Sequence, residues 1–357
     1  MKVIQVTRRR LFAACASLAL VAGMAAVPPT AAAAQVGFAM PANEGAHDIR
    51  YEWWYVTGHL TGVDPSGGVH EYGFESTFFK NGVGSWCCWP DGYAHHLAVT
   101  DLTRDTFTFS TKNTIGYPSN PSGGGFDVGI DSWRLTGKDG NHTIKGNLED
   151  GEYVFDLTTT TNKPVAWHGG DGVIEYGPWA DSAYYSWTNL NVGGTLYDHG
   201  VPVTITGGKA WSDHQWFGGD SAYGGWDWYS VQLDNGNEYM IYLIKGASGA
   251  YVQKVGTLIK PNGQTVQLDP AALTMTPLGF WTSPHSGRTY SSGWTVTVPG
   301  GALTILPKRK DQEVRSSIPD VDYWEGASTV TGTINGSAVT GKGYTEINPV
   351  QYEPGGF

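Results

Sequence analysis

Cysteine is nearly missing from this chain of 357 residues: there are three, Cys15 and the adjacent pair Cys87 and Cys88. A bridge between neighbours closes too small a loop to restrict the unfolded chain, so disulfides are excluded as the source of stability, whether the pair is a vicinal disulfide or two thiols. Basic side chains are scarce as well, 22 Lys and Arg against 33 Asp and Glu, for a formal charge of -11. That balance argues against nucleic acid and anionic lipid as partners. Long stretches of 3.6-residue period are rare, so a helical fold is not expected. No glycine-rich phosphate loop precedes a helix, and no nucleotide cofactor is expected. His59, His70, His95, His96, His168 and His214 lack compact zinc spacing, so no metal is expected either. Gly219-Asp220-Ser221-Ala222-Tyr223 falls one glycine short of a nucleophile elbow and lacks its strand-turn-helix setting.

What is present begins with a leader. Thr7 and Arg8 to Arg10 precede an apolar run, and small residues offer an Ala-x-Ala cut near Ala34. Residues 1–34 are expected to be a secretory signal peptide of twin-arginine type rather than a stable membrane anchor, which puts the mature protein outside the cytoplasm. Reading Cys15 as a lipoprotein site would leave only a few apolar residues before the cut. Without the leader, which holds Lys2 and three arginines but no acid, 18 basic side chains (22 less 4) face 33 acidic ones. About 320 residues remain, enough for the core of one large or two medium domains.

Fifty glycines, 19 tyrosines and 15 tryptophans point to antiparallel β structure. YEWWYVTGHL (51–60) runs into the turn Asp64-Pro65-Ser66-Gly67-Gly68, and HEYGFESTFF (70–79) returns. WDWYSVQL (226–233) meets Asp234-Asn235-Gly236, a strong hairpin turn, and EYMIYLIKG follows. GASTVTGTINGSAVTGKGYTEI bends at Asn335-Gly336. The expected fold is all-β, many short strands in barrels or sandwiches. The glycine-rich segment 217–225 is the expected boundary, giving domains at 35–220 and 221–357.

Alternation assigns side chains to faces. Glu52 shares a face with Trp54, Val56 and Leu60, and Asp227 with Tyr229, Val231 and Leu233. A carboxylate on a barrel's interior face would have its pKa raised by desolvation and stay protonated near neutrality, as a general acid requires. A carboxylate at a strand end, bonded to solvent or a backbone N–H, would only support structure. In AWSDHQW (210–216), Trp211, Asp213 and Gln215 point one way, Ser212, His214 and Trp216 the other.

HDIRYEWWYVTGHL, YGFESTFFK, HHLAVTDL, KPVAWHGGDG, YYSWTNLNVGGTL, AWSDHQW, GWDWYSVQLDNGNEYMIY and DYWEGASTVTG with GKGYTEI occur in this order across residues 46–347. They resemble the carotenoid 1,2-hydratase (hydroxyneurosporene synthase) and AttH-like family. The resemblance implies two consecutive lipocalin-like antiparallel β-barrel domains and a hydrophobic small-molecule substrate, prenylated or polyunsaturated. Family activities include hydration of terminal prenyl double bonds, with a fungal hydratase of a prenylated isoflavonoid among them, and Diels-Alder or related cyclisations. It carries a catalytic role onto Asp213, His214 and Trp216, and onto Asp227 through the GWDW match. Glu325 also falls in a matching stretch, where closing a barrel end through a backbone hydrogen bond would account for it.

The expectation is an exported hydratase that needs no cofactor. Asp227 or Asp213 would protonate the less substituted alkene carbon; Trp216, Trp228 and Tyr229 would face the resulting tertiary cation; His214 would orient or deprotonate water. Glu52, Trp54 and Gln215 complete the expected substrate-binding set. Two other readings remain: a cyclase that holds a near-attack conformer, with Gln215 or Tyr229 polarising a carbonyl, and a non-catalytic carrier of hydrophobic ligands.

Overall fold

The computed structural model describes residues 38–82, 91–116, 120–148, 151–176, 180–218, 225–316 and 322–349. The leader with its cut near Ala34, Cys15, the Cys87–Cys88 pair, and residues 219–223 with most of the glycine-rich segment 217–225 lie outside the described residues.

Turn chemistry and aromatic, β-branched runs divide the described chain into 24 strands. The first twelve are β1 (Tyr51–Val63), β2 (Val69–Asn81), β3 (Asp91–Asp101), β4 (Thr106–Gly116), β5 (Phe126–Ile130), β6 (Trp133–Lys138), β7 (Asn141–Asn147), β8 (Tyr153–Thr161), β9 (Ala166–Trp167), β10 (Val173–Tyr176), β11 (Ala180–Asp198) and β12 (Val201–Phe217). They form one sheet in the order β4-β3-β2-β1-β12-β11-β8-β7-β6-β5, with β9 and β10 also paired to β11. Strand β5 packs back on β3 and β4, so the sheet curls into a nearly closed barrel.

The remaining strands are β13 (Gly225–Leu233), β14 (Glu238–Lys245), β15 (Tyr251–Ile259), β16 (Thr265–Gln267), β17 (Thr274–Pro277), β18 (Phe280–Thr282), β19 (Thr289–Ser291), β20 (Trp294–Val298), β21 (Gly301–Pro307), β22 (Glu313–Val314), β23 (Tyr323–Ile334) and β24 (Ser337–Asn348). All except the separate β18–β19 pair join a second sheet, β16-β15-β14-β13-β24-β23-β21-β20-β17, which closes only halfway. Every pairing is antiparallel. The β23–β24 hairpin turns where the sequence predicts: Asn335 and Gly336 both have positive φ, 50° and 77°, which a two-residue turn matched to strand twist requires. The fold is thus all-β and lipocalin-like, as expected, with an open second barrel. Helical structure among the described residues amounts to two 3-10 turns, Ala42–Glu44 and Pro270–Ala272. Among these residues no helix is long and apolar enough to cross a membrane.

Three buried clusters hold the structure. One fills the first barrel around Trp54, Phe78, Trp133 and Trp187. Another fills the concave side of the second sheet around Tyr229, Trp294 and Trp324. The third draws on both sheets, with Tyr55, Tyr184 and Trp211 packed against Trp228, Met240, Tyr242 and Tyr344. Close approach there depends on Gly73, where an added Cβ would stand 2.6 Å from the Cβ of Ala327 on the other sheet. Burying this shared apolar surface, at about 25 cal/mol per Å², holds the sheets face to face.

Candidate active site

Strand β12 runs between β1 and β11 and presents chemistry on both of its faces. Ser212, His214 and Trp216 lie opposite Val56, Trp54 and Glu52 of β1 and point into the first barrel. Trp211, Asp213 and Gln215 lie opposite Thr57, Tyr55 and Trp53 and point toward the second sheet. The alternation predicted for AWSDHQW is therefore present, and it separates Asp213 from His214.

On the outward face, between the sheets, lies a narrow pocket of about 390 Å³, its open mouth included. Trp53, Phe79, Trp226, Trp228 and Tyr242 form aromatic walls, and Glu75, Asp213 and Glu346 reach it from β2, β12 and β24. Glu325 of β23 stands opposite Glu346 on the same face, and it accepts a 2.7 Å bond from the hydroxyl of Tyr55 in the pocket wall. Among the described residues no Lys or Arg lines the pocket. Behind its wall His96 is 2.8 Å from the Tyr323 hydroxyl, and burial pushes this imidazole down to about 3, so it is neutral.

Four carboxyl groups without a cation cannot all ionise. Burial drives Asp213 up to about 7 although Ser186, Tyr184 (2.7 Å) and Trp211 (2.5 Å) donate to it. Burial likewise lifts Glu75 to about 7 against 2.7 Å bonds from Tyr323 and Thr77. Half-buried Glu346 rises to about 8, from burial and then from repulsion by Glu75 and Asp213, despite a bond from Trp226. Burial, then repulsion by Glu75 and Glu346, raises Glu325 well above the carboxylate range. One oxygen each of Glu75 and Glu325 has no hydrogen-bond partner, a natural place for a carboxylic proton aimed at a ligand.

The other expected site residues lie elsewhere. His214, Trp216, Glu52 and Trp54 meet inside the first barrel. Glu52 Oε1 accepts from His47 at 2.7 Å and His214 at 2.9 Å, His47 stacks on Trp216 at 4.0 Å, and His214 stacks on Trp54 at 4.7 Å. Burial alone would raise the Glu52 pKa, but the two imidazoles outweigh it and the pKa is lowered, so the expectation of a protonated Glu52 is corrected. Burial lowers His214, leaving it a neutral donor. The donor atoms of His47, Glu52 and His214 lie within 4.8 Å of one another, the spacing of a metal ligand set. Lys80, however, brings its ammonium to 3.8 Å from Glu52 Oε2 and so supplies the positive charge, and the three groups satisfy one another as a network.

Asp227 and Tyr229 are on the other face of β13 from Trp228. The Asp227 side chain pairs with Lys245 and accepts from the Tyr251 hydroxyl, away from the pocket. Tyr229 is fully buried in the second core. Of the sequence-derived set, the structure brings Asp213, Gln215 and Trp228 to the pocket and the remaining six to other places, because β12 and β13 each split their neighbours between opposite faces. Glu75 and Glu346 stand outside that set, and so does Glu325, for which the sequence suggests only a structural bond at a barrel end. Each sits in a family-like stretch, but only the meeting of β2, β23 and β24 brings Glu75 and Glu346 to one pocket with Glu325 beside it.

Residues 31–349 match the model of the AttH-like family. The chain belongs to this family. It is similar to a protein named kievitone hydratase from Fusarium solani subsp. phaseoli, 23% identical over 262 residues, covering 71% of this chain and 73% of that protein. A solved structure from Nitrosomonas europaea, described as AttH, superposes with a TM-score of 0.74 at 30% identity over 90% of this chain and 98% of the other. The structure of kievitone hydratase from Nectria haematococca gives 0.69 at 18% identity over 86% and 90%, a likeness of fold. CghA shares the fold more distantly, at 0.54 and 13% identity over 85% of this chain and 90% of the other.

Proposed function

We propose that this protein adds water to a carbon–carbon double bond of a hydrophobic, prenylated small molecule, by acid catalysis in the pocket between the two sheets. The observation that carries this reading is the cluster of Glu75, Asp213 and Glu346 on an aromatic pocket, with Glu325 bonded to its wall, all raised carboxyl groups with no cation among the described lining residues. Similarity to kievitone hydratase supports the same reaction class.

Glu346 is the proton donor in this scheme, being half-buried, next to the aromatic walls and protonated at neutral pH. It passes its proton to the less substituted alkene carbon, and the tertiary cation that results faces Trp226, Trp228 and Tyr242, each worth up to about 2 kcal/mol when desolvated. Asp213, with three donors stabilising its charged form, accepts the proton of the attacking water. His214, on the far face of β12, has no direct part. The twin-arginine leader supports export as the setting, which N-terminal sequencing of protein recovered from the culture medium would check.

The test is turnover of a panel of prenylated phenols by the wild type, Glu346→Gln and Asp213→Asn. Each variant is expected to lose about 10²–10⁴ in kcat. Full activity in both would sink the scheme. An isomeric product would favour cyclisation, and ligand recovered unchanged would favour a carrier.

A further inference from the structure

The pocket between the sheets gathers acids without a counter-charge of its own. Glu75, Asp213 and Glu346 line it with Glu325 beside them, and among the described lining residues there is no Lys or Arg. Two lysines of neighbouring strands are engaged elsewhere: Lys80 of β2 stands 3.8 Å from Glu52 inside the first barrel, and Lys245 of β14 pairs with Asp227. Fully buried Glu75 accepts from Tyr323 and Thr77 through Oε1 alone, at 2.7 Å each, and its Oε2 has no partner. What the cluster lacks is a positive charge.

The walls are of the kind that accepts such a charge. Trp53 of the first sheet and Trp226 of the second lie nearly parallel, with ring centroids 6.3 Å apart and planes within 10°, and Tyr242 stands edge-on to Trp226 at 6.3 Å. Trp228 donates its indole N–H to the Tyr184 hydroxyl at 2.8 Å and Trp226 bonds Glu346, so what these two rings leave for a ligand is their electron-rich faces. A cation is attracted by each ring face it touches, and an ionised carboxyl nearby adds direct charge attraction. A quaternary ammonium ion fits both, because its methyl groups present an apolar surface to the rings and its charge needs no hydrogen-bond acceptor.

We propose that this pocket binds a small quaternary ammonium ion, held against the ring faces with its positive charge taking the place of a carboxylic proton. One charge enters and one proton leaves to water at the mouth, where Glu346 is half-buried, so the net charge of the pocket is unchanged. The proposal goes beyond hydration and does not rest on it; in an active hydratase the ammonium would stand where the tertiary cation forms and exclude the alkene. The groups facing Glu75 and Glu346 are Asp213 of β12, Glu325 and Tyr323 of β23, Tyr55 of β1, Tyr184 of β11 and Tyr242 of β14, with His96 of β3 behind Tyr323. Asp227 repels Glu346 from the far face of β13. Burial keeps His96 neutral and the hydroxyls of Tyr55, Tyr184 and Tyr323 protonated, so the proton that leaves comes from the carboxyl cluster itself.

The test is calorimetric titration of the purified protein with choline and with its uncharged analogue, in which a tert-butyl group replaces the trimethylammonium. Choline is expected to bind at least about 10-fold more tightly than the analogue at pH 8. Glu75 titrates near 7 and Glu346 near 8, and a bound cation favours their ionised forms, so choline should bind at least about 10-fold more tightly at pH 8 than at pH 6, while the analogue gains nothing. Titration in two buffers of different ionisation enthalpy should show protons released as choline binds at pH 7. Glu75→Gln is expected to weaken choline about 10-fold and leave the analogue unaffected. Should that variant melt early, Trp226→Leu at the half-buried mouth removes one ring face and is expected to weaken choline about 5-fold. Choline bound no better than the analogue, an affinity that does not rise with pH, or full choline affinity in the folded variant would overturn the proposal. Because the readout needs no substrate, choline binding by a protein that hydrates no alkene removes the hydration reading alone, and an active hydratase indifferent to choline removes this proposal alone.

Discussion

Three acids in similar sequence settings meet different fates. Asp213, Glu52 and Asp227 all stand on aromatic-rich strands, and what separates them is the partner across the space they face. Asp213 meets only neutral donors and is pushed up to about 7; Glu52 meets two imidazoles and stays ionised; Asp227 meets the ammonium of Lys245. Replacing Asp227 with Asn is therefore expected to cost on the order of 3 kcal/mol of stability, because a mostly buried ammonium loses its counter-charge, while prenyl hydration keeps at least half its kcat. Urea unfolding beside a turnover assay checks both. A collapse of kcat in a still-folded variant would return Asp227 to the chemistry. Nothing local in GWDW predicts the Lys245 contact, since that lysine lies a strand away, whereas the paired faces of β12 follow from alternation alone.

Register is decisive at the level of the strand. A slip of one residue in β12 against β1 would exchange Asp213 for His214 at the pocket and put a carboxyl beside Trp54 in the first barrel. The Glu52–His214–His47 network guards that register while fastening the segment before β1 onto the barrel: Glu52 accepts the His47 backbone N–H at 3.0 Å as well as its ring. Glu52→Gln should cost about 3–5 kcal/mol at pH 7. The Glu52 pKa is lowered on folding, so its contribution is present above the unfolded value near 4.5 and fades as pH falls through the folded one. Wild type and variant should accordingly converge in melting temperature toward pH 3; a gap that persists there would mean that packing, not charge, holds the network. Strand positions and hairpin turns were legible because apolar alternation and Asn-Gly or Asp-Asn-Gly turns are local signals. Closure of only one barrel was not legible, because it depends on which distant edges meet.

For the molecule as a whole, the cluster between the sheets ties stability to pH in the opposite sense. Asp213, Glu75 and Glu346 bind protons more tightly folded than unfolded, so their stabilising effect is complete below about pH 4 and is lost as pH rises through 7 to 8. A tenfold gain in proton affinity on folding corresponds to about 1.4 kcal/mol at most, less for half-buried Glu346, which solvent partly screens. The melting temperature should fall between about pH 4.5 and pH 8, and Glu346→Gln should flatten that fall; a rise in wild-type stability over this range would refute the assigned directions. Hydration should follow a bell-shaped profile, rising as Asp213 ionises near pH 7 and falling as Glu346 loses its proton near pH 8. The two-barrel fold could be expected from the family-like stretches. The site could not, because residues as distant as Glu75 and Glu346 become neighbours only when the two sheets pack.

The central claim, that the pocket keeps a carboxylic acid protonated at neutral pH, is tested most directly by infrared difference spectroscopy of the wild type against Glu346→Gln. A protonated-carboxyl band is predicted at pH 7, absent from the variant and titrating away near pH 8. If the spectra of the two proteins show no such band at pH 7, Glu346 is ionised, and the pocket lacks the acid on which the proposed hydration depends.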